Sequence, residues 1–152
     1  MGREDKQITS REDIERVIRD SPVCRLAMCD GDRPYVVPLC FGLHGNSLYF
    51  HSAPAGKKLD LIKANPNVCF EFDTDHELVR SDSPCGFGMK YRSVVGYGLA
   101  SIVESKEEAQ FGLEAIVRHY GGPAGPLADK MLNRTVVFKV EITEMTARKS
   151  GY

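Results

Sequence analysis

The residues best suited to chemistry gather in the stretch LYFHSAPAGKKLDLIKANP, positions 48 to 66. His51 and Ser52 end an apolar run there, and Lys57 and Lys58 follow Gly56. Residues 54 to 64 read as a helix, so both lysines fall in its first turn. A helix N-terminus already carries about half a positive charge and unpaired N–H groups, and two ammonium groups there are unfavourable by some tenths of a kcal/mol each. A bound anion would compensate. Phosphate fits the set: exposed N–H groups, the Ser52 hydroxyl, a close approach at Gly56 and two ammonium groups can converge on it. The bland alternative is a solvated lysine pair bonded to Asp60 or another nearby acid, and the lysines alone leave it open.

The other polar candidates are weaker. His51 at a strand end suits hydrogen bonding better than proton transfer. His76, in the acidic run Asp73-Thr74-Asp75-His76-Glu77, reads as part of a solvated loop rather than a metal site. His44 falls in a turn and His119 in a helix, neither with a partner legible in sequence. Cys85, in a glycine-bearing loop, reads as a loop thiol without catalytic duty. The five cysteines (Cys24, Cys29, Cys40, Cys69, Cys85) are scattered and odd in number, which fits reduced thiols better than disulfides or zinc. No metal site and no catalytic acid, base or nucleophile is assigned.

The elements that must position these residues follow from pattern. Thr9 and Glu12 form a capping box before Ile14, Val17 and Ile18, predicting a helix that stops at Ser21-Pro22. Strands are expected over residues 23–29, 35–41 and 47–51, broken at Asp30-Gly31 and His44-Gly45-Asn46. Pro38 cannot donate to a ladder, so its strand is an edge, bulged, or turned toward a ligand. The helix at 54–64 ends at Asn65-Pro66, and a strand at 68–72 follows. Residues 73–90 show no periodicity and read as a long connection, with at most a short extended piece. A strand over 91–103 comes next. Ser105 and Glu108 then cap a helix with Ala109, Leu113, Ile116 and Val117 on one face, ended by Gly121-Gly122-Pro123. After a short helix near 127–132, residues 134–145 alternate, with Val136, Phe138, Val140 and Ile142 on one side. About six strands without βαβ alternation predict a mainly β (α+β) antiparallel barrel with flanking helices.

The whole chain, residues 1–152, suits one domain. Its 42% hydrophobic and 27% charged residues place it among globular proteins. A net charge of -1 gives no general field for nucleic acid, so an anion must be held by a local cluster. The polar start MGREDKQITSRED lacks the apolar core of a signal peptide, and no apolar run reaches membrane-spanning length. The expectation is a cytoplasmic protein with no membrane and no nucleic-acid partner.

Several ordered pieces carry a family resemblance: Cys24-Arg25-Leu26-Ala27; Pro34-Tyr35-Val36-Val37-Pro38-Leu39-Cys40-Phe41-Gly42; Leu48-Tyr49-Phe50-His51-Ser52 with Gly56-Lys57-Lys58-Leu59; Asn65-Pro66 with Val68-Cys69-Phe70; Tyr91-Arg92-Ser93-Val94-Val95-Gly96-Tyr97-Gly98; and His119-Tyr120-Gly121. Together they resemble the pyridoxamine 5'-phosphate oxidase-related flavoproteins, nearest the nitroimidazole-resistance (Nim-type) branch. The resemblance implies an FMN-binding split β-barrel, a homodimer with FMN at the subunit interface. It implies that Lys57 and Lys58 hold the FMN phosphate, and that His51 and Ser52 contact phosphate and ribityl chain. Val37, Pro38 and Leu39 would lie along the isoalloxazine edge, while Tyr91 and Ser93 complete the site, from the same or the partner subunit. The oxidase's additional phosphate arginine and its C-terminal basic set are not evident, and the ending TARKSGY carries only Arg148 and Lys149. The implied activity is therefore an FMN oxidoreductase that takes electrons from NAD(P)H or another donor and reduces a small acceptor such as a nitroaromatic. The alternatives are a flavin-binding or flavin-sensing module without turnover, or a haem-binding relative of the same barrel.

Overall fold

The computed structural model describes residues 6–152. In chain order the elements are β1 (Gln7–Ile8), α1 (Arg11–Asp20), β2 (Cys24–Asp30), β3 (Arg33–Leu39), β4 (Gly42–His44), β5 (Ser47–Ser52), α2 (Lys57–Ala64), β6 (Asn67–Val79), β7 (Gly88–Ile102), α3 (Lys106–His119), α4 (Asp129–Leu132) and β8 (Val136–Ser150). All pairings are antiparallel, in the order β3-β2-β6-β7-β8-β5-β4, with β1 added on β8. The sheet is open between β3 and β4. This is the mainly β, split-barrel type of fold expected, and its six longer strands are the ones anticipated, with β1 and β4 as short additions. Pro38 sits on β3, the sheet edge, where a missing N–H is tolerated.

Three expectations are corrected. The first helix is capped by Ser10, whose Oγ accepts from the Asp13 N–H at 3.4 Å, one residue after the expected Thr9. The helix expected from residue 54 starts at Lys57, because Gly56, at φ 151°, stands outside it. Most of the expected 73–90 connection is strand: β6 continues to Val79 and pairs with β7 from Gly88. Alternation fails as a signal here because neither face of this arm is deeply buried, and the register shifts between Thr74 and Glu77. Asp75 takes a left-handed φ of 58° in that irregularity. Cross-strand ion pairs hold the arm, Lys90 to Glu77 at 2.9 Å and Arg92 to Asp75 at 2.6 Å.

The main core lies between the inner face of the sheet and helices α1 and α2. Leu26, Phe50, Phe70, Phe72, Phe138 and Val140 are fully buried there, joined by Ile18 of α1 and by Leu59 and Ile62 of α2. Phe50 and Phe138, directly paired across β5 and β8, stack at 5.1 Å. Helix α3 covers a second cluster built on Tyr49 and Val137. It approaches β4 so closely that a Cβ on Gly42 would lie 2.5 Å from the Ala115 carbonyl carbon. The end of α3 is tied down on both sides. The Tyr120 hydroxyl donates to Pro22 O at 2.8 Å and accepts from the Phe41 N–H at 3.3 Å, while His119 Nε2 lies 2.9 Å from Ser21 O. His119 thus serves the packing of α3, its ring 4.1 Å from that of Phe41.

Candidate functional site

β5 carries His51 and Ser52 at its C-terminal end. The neighbouring β4 pairs only as far as Tyr49, so Phe50, His51 and Ser52 have β8 on one edge and no strand on the other. Alternation turns His51 outward and Ser52 inward, where the Ser52 side chain is buried. Its Oγ has no hydrogen-bond partner. A buried hydroxyl left unpaired costs about 1–3 kcal/mol, so this atom marks a place where a further polar group would be stabilising.

Ala53-Pro54-Ala55-Gly56 leads from Ser52 into α2. No side chain caps this helix, so its first N–H groups remain free; the first intrahelical bond runs from the Asp60 N–H to Gly56 O at 3.2 Å. Leu59 and Ile62 anchor α2 in the core, which turns Lys57 away from it and leaves Lys58 at the flank of the buried face. Lys57 Nζ lies 3.0 Å from Asp30 Oδ2 at the end of β2 and 4.7 Å over the Tyr35 ring of β3. The surface-pair reading of Lys57 therefore has a concrete partner, Asp30 rather than Asp60. Lys58 is half-buried, and among the described residues it pairs with no carboxylate. One ammonium is shared with an acid, the other forms no ion pair among the described residues, and both lysines belong to the first turn of a helix without a side-chain cap. With the orphaned Ser52 hydroxyl, this donor set fits a phosphate monoester.

Val37, Pro38 and Leu39 continue along β3 from Tyr35, so the strand leads about 13 Å from the Lys57 contact to Leu39. As the edge strand, β3 has backbone groups available to a planar polar ring. The structure thus joins Lys57 and Lys58 to the β3 edge through Tyr35. Tyr91 and Ser93 lie elsewhere. Tyr91 pairs with Ser150 and Ser93 with Arg148, whereas His51 pairs with Val137, the residue before Phe138, which is the partner of Ile102. From Ser93 to Ile102 the strand covers about 30 Å, so one chain does not bring these two groups together.

Sequence reasoning missed Asp30 and Tyr35 as site neighbours. Asp30 reads as a turn residue, and Tyr35 belongs to a matching segment without an obvious role. It also missed the charge network on the outer face of the sheet beside Pro38. Arg25, the cross-strand partner of Pro38, lies 2.7 Å from Asp73 and 3.2 Å from Glu71, and His76 Nε2 lies 3.2 Å from Asp73. Burial, with the Asp73 charge nearby, raises the Glu71 carboxyl above its ordinary value. His76 is therefore a strand residue bonded to an acid. Among the described residues no group of three or more His, Cys, Asp or Glu side chains is arranged to hold a metal ion. No described helix is long and apolar enough to cross a membrane.

Comparison with known proteins identifies the family and the fold. The sequence pattern of the family described as pyridoxamine 5'-phosphate oxidase matches residues 10–149. A solved structure from Bacteroides thetaiotaomicron, provisionally described as a 5-nitroimidazole antibiotic resistance protein, is 31% identical, covers 94% of this chain and 86% of its own, and superposes with a TM-score of 0.83. The structure of an FAD- and haem-binding protein from Mycobacterium smegmatis shares the fold, with a TM-score of 0.86 at 19% identity over 97% of this chain and 74% of that one. An uncharacterised protein of Rhizobium meliloti is 38% identical over 65 residues, a match spanning 43% of this chain and 42% of that relative. The chain belongs to the pyridoxamine 5'-phosphate oxidase family and matches its nitroimidazole-resistance (Nim-type) branch.

Proposed function

We propose that the chain is a flavoprotein that binds FMN, with the phosphate held by Ser52, Lys57, Lys58 and the N-terminus of α2, and that it acts as an oxidoreductase on small acceptors such as nitroaromatics. The observation that carries this reading is the buried, partnerless Ser52 hydroxyl at the strand end that leads into an uncapped helix N-terminus bearing two lysines. Val37, Pro38 and Leu39 present the sheet edge to the isoalloxazine ring, and His51 lies open to the ribityl chain. Bound flavin supplies hydride and single-electron transfer. The chain's own part is to bind, orient and shield.

The reading includes a homodimer. Tyr91 and Ser93 are too far from Ser52 to share a site within one chain, so a second copy would supply them. The outer face of the sheet supports that association: Val36 is 62% exposed, Tyr97 51%, Leu99 45% and Val95 38%, an apolar set larger than scattered surface residues require. The Mycobacterium smegmatis neighbour, described as binding FAD and haem, favours a second reading in which the ligand is FAD or haem.

The test is spectroscopic. The purified protein is expected to show flavin bands, or to take up FMN from solution, and Lys57→Ala with Lys58→Ala should weaken FMN binding far more than it weakens the fold. Bleaching by NADH or NADPH, reversed by a nitroaromatic, would establish turnover. A Soret band would favour haem, and tighter binding of FAD than of FMN would correct the cofactor. A colourless protein unable to take up FMN would sink the proposal.

A further inference from the structure

Two cysteines far apart in sequence stand on adjacent strands of the outer face of the sheet. β2 and β6 pair with Ala27 opposite Cys69 and Met28 opposite Val68, so Cys29 falls level with Asn67, whose carbonyl lies 3.9 Å from Cys29 Sγ. Cys29 and Cys69 are therefore diagonal neighbours on adjacent strands, both free and both half-buried. They line the same cleft of about 380 Å³ together with Ala27, Pro34 and Tyr97, and Arg33 stands at its rim.

Diagonal neighbours in an antiparallel pair have Cα atoms about 7–8 Å apart. That is beyond the roughly 7 Å limit for a disulfide without backbone movement. It suits a bridge of two metal–sulfur bonds of about 2.3 Å each, which adds the length a disulfide lacks. With two sulfur donors and no third ligand among the described residues, four-coordinate zinc is not served. Thiolates select soft ions, Cu(I) foremost. We propose that Cys29 and Cys69 form a two-thiolate site for a soft monovalent d¹⁰ cation of the Cu(I) or Ag(I) type.

In binding, two S–H bonds break, two metal–sulfur bonds form, both protons leave to solvent and no oxidation state changes. Burial raises the Cys69 thiol above its ordinary value, so the ion must displace a proton there and uptake strengthens as pH rises. The product carries one negative charge. Asp32 and Arg33 both line the cleft and, among the described residues, neither forms an ion pair, so Arg33 offsets the charge of the product and Asp32 opposes it. The cleft shares Tyr97 with the apolar face that the proposed dimer covers, so the site would lie against the second copy; ion retention by the full chain is read without flavin, and its failure is distinguishable from a failure of the cofactor reading.

The experiment uses Ag(I), which is redox-inert, added to the full chain in the presence of excess glutathione so that isolated thiols release the ion. Native mass spectrometry should show one Ag(I) retained per chain and, once glutathione has been removed, two fewer thiols open to a disulfide reagent. Retention should persist in the Cys40→Ser/Cys85→Ser variant and vanish in Cys29→Ser and in Cys69→Ser. No retained ion in the wild-type chain, or one retained by either of the last two variants, overturns the proposal. The thiol count tests the same pair on the wild-type chain without any substitution: an unchanged count with the ion present also overturns it.

Discussion

Lys57 and Lys58 are adjacent in sequence but differ in their surroundings, and that difference separates their expected effects. Lys58 has no carboxylate partner among the described residues, whereas Lys57 already contacts Asp30 at 3.0 Å and the Tyr35 ring at 4.7 Å. A hydrogen bond between charged groups contributes about 1.5–3 kcal/mol, and each 1.4 kcal/mol is about tenfold in affinity. Lys58→Ala should therefore weaken FMN binding roughly 10- to 150-fold. Lys57 must share or surrender an exposed ion pair of about 0–1 kcal/mol and a cation–π contact of about 0.5–1 kcal/mol to reach the phosphate. Lys57→Ala should cost only about 3- to 10-fold. Asp30→Asn removes the competitor and a repelling charge, so it should tighten FMN by up to about fivefold. Fluorescence titration of each variant with FMN and with riboflavin, which lacks the phosphate, measures all three. Riboflavin affinity should be indifferent to Lys58, and only FMN affinity should fall with salt. Equal losses for both ligands in Lys58→Ala, or an unchanged FMN affinity, would refute the phosphate assignment.

Other consequences concern the fold. Lys139 lies 2.7 Å from Glu108, and its hydrogen bond holds the Glu108 carboxyl below its ordinary value. The stability this adds is complete above the unfolded carboxylate pKa of about 4.3 and is lost as pH falls through the lower folded value. Lys139 itself is raised, chiefly by the same hydrogen bond, so its share persists until strongly alkaline pH. Denaturant melts should thus show Lys139→Gln less stable than wild type at neutral pH, with the gap closing in acid; a gap that does not change with pH would deny the pair an electrostatic role. Gly42→Ala puts a methyl group against the Ala115 backbone and should lower stability by about 1–3 kcal/mol; an unchanged unfolding midpoint would show that α3 can retreat. If the proposed dimer forms through the exposed face of β7, Leu99→Glu should yield monomers in sedimentation experiments and lose flavin with the partner, whereas a flavin-loaded dimer would place the interface elsewhere.

The parts legible in sequence are those fixed by local or one-faced patterns. The alternation of Val136, Phe138, Val140 and Ile142 reports the buried face of β8, and the Ser105 cap of α3 is present as read, with Ser105 Oγ accepting from the Glu108 N–H at 3.1 Å. Past Ile142 the pattern fades because the ladder shifts opposite Tyr97 and Gly98, where Thr143 Oγ1 bonds to Tyr97 O at 3.0 Å. The distal arm of β6 and β7 is held by ion pairs rather than by a buried stripe, and so left no periodic trace. At the site, the lysine pair was visible as an electrostatic conflict, but Asp30 could not be found as its partner. That contact exists only once the β2–β3 hairpin and the start of α2 are brought together. The proximity of Cys29 to Cys69 likewise depends on strand register, which neither segment encodes alone.

The central strands carry a further piece of information that a single copy does not use. On β7, buried Val94, Gly96, Gly98 and Ala100 alternate with exposed Val95, Tyr97 and Leu99. Both sets are free of charge. A sheet with one face in water normally alternates apolar with polar residues, and strands apolar on both sides are the mark of a sheet covered on both. The inner residues are explained by the core of this chain; on the proposed reading the outer ones are covered by a second copy. The same strand carries Tyr91 and Ser93 near its start, about 30 Å along from the level of Ser52. On the proposed reading one association meets both needs, covering the apolar face and bringing Tyr91 and Ser93 of one copy to the phosphate end of the other. The small residues of β7 serve the inside, where Gly98 lies against the Glu141 backbone, and its large residues serve the outside. On that reading residue size along this strand serves two ends, the packing of one copy and a flavin site shared between two.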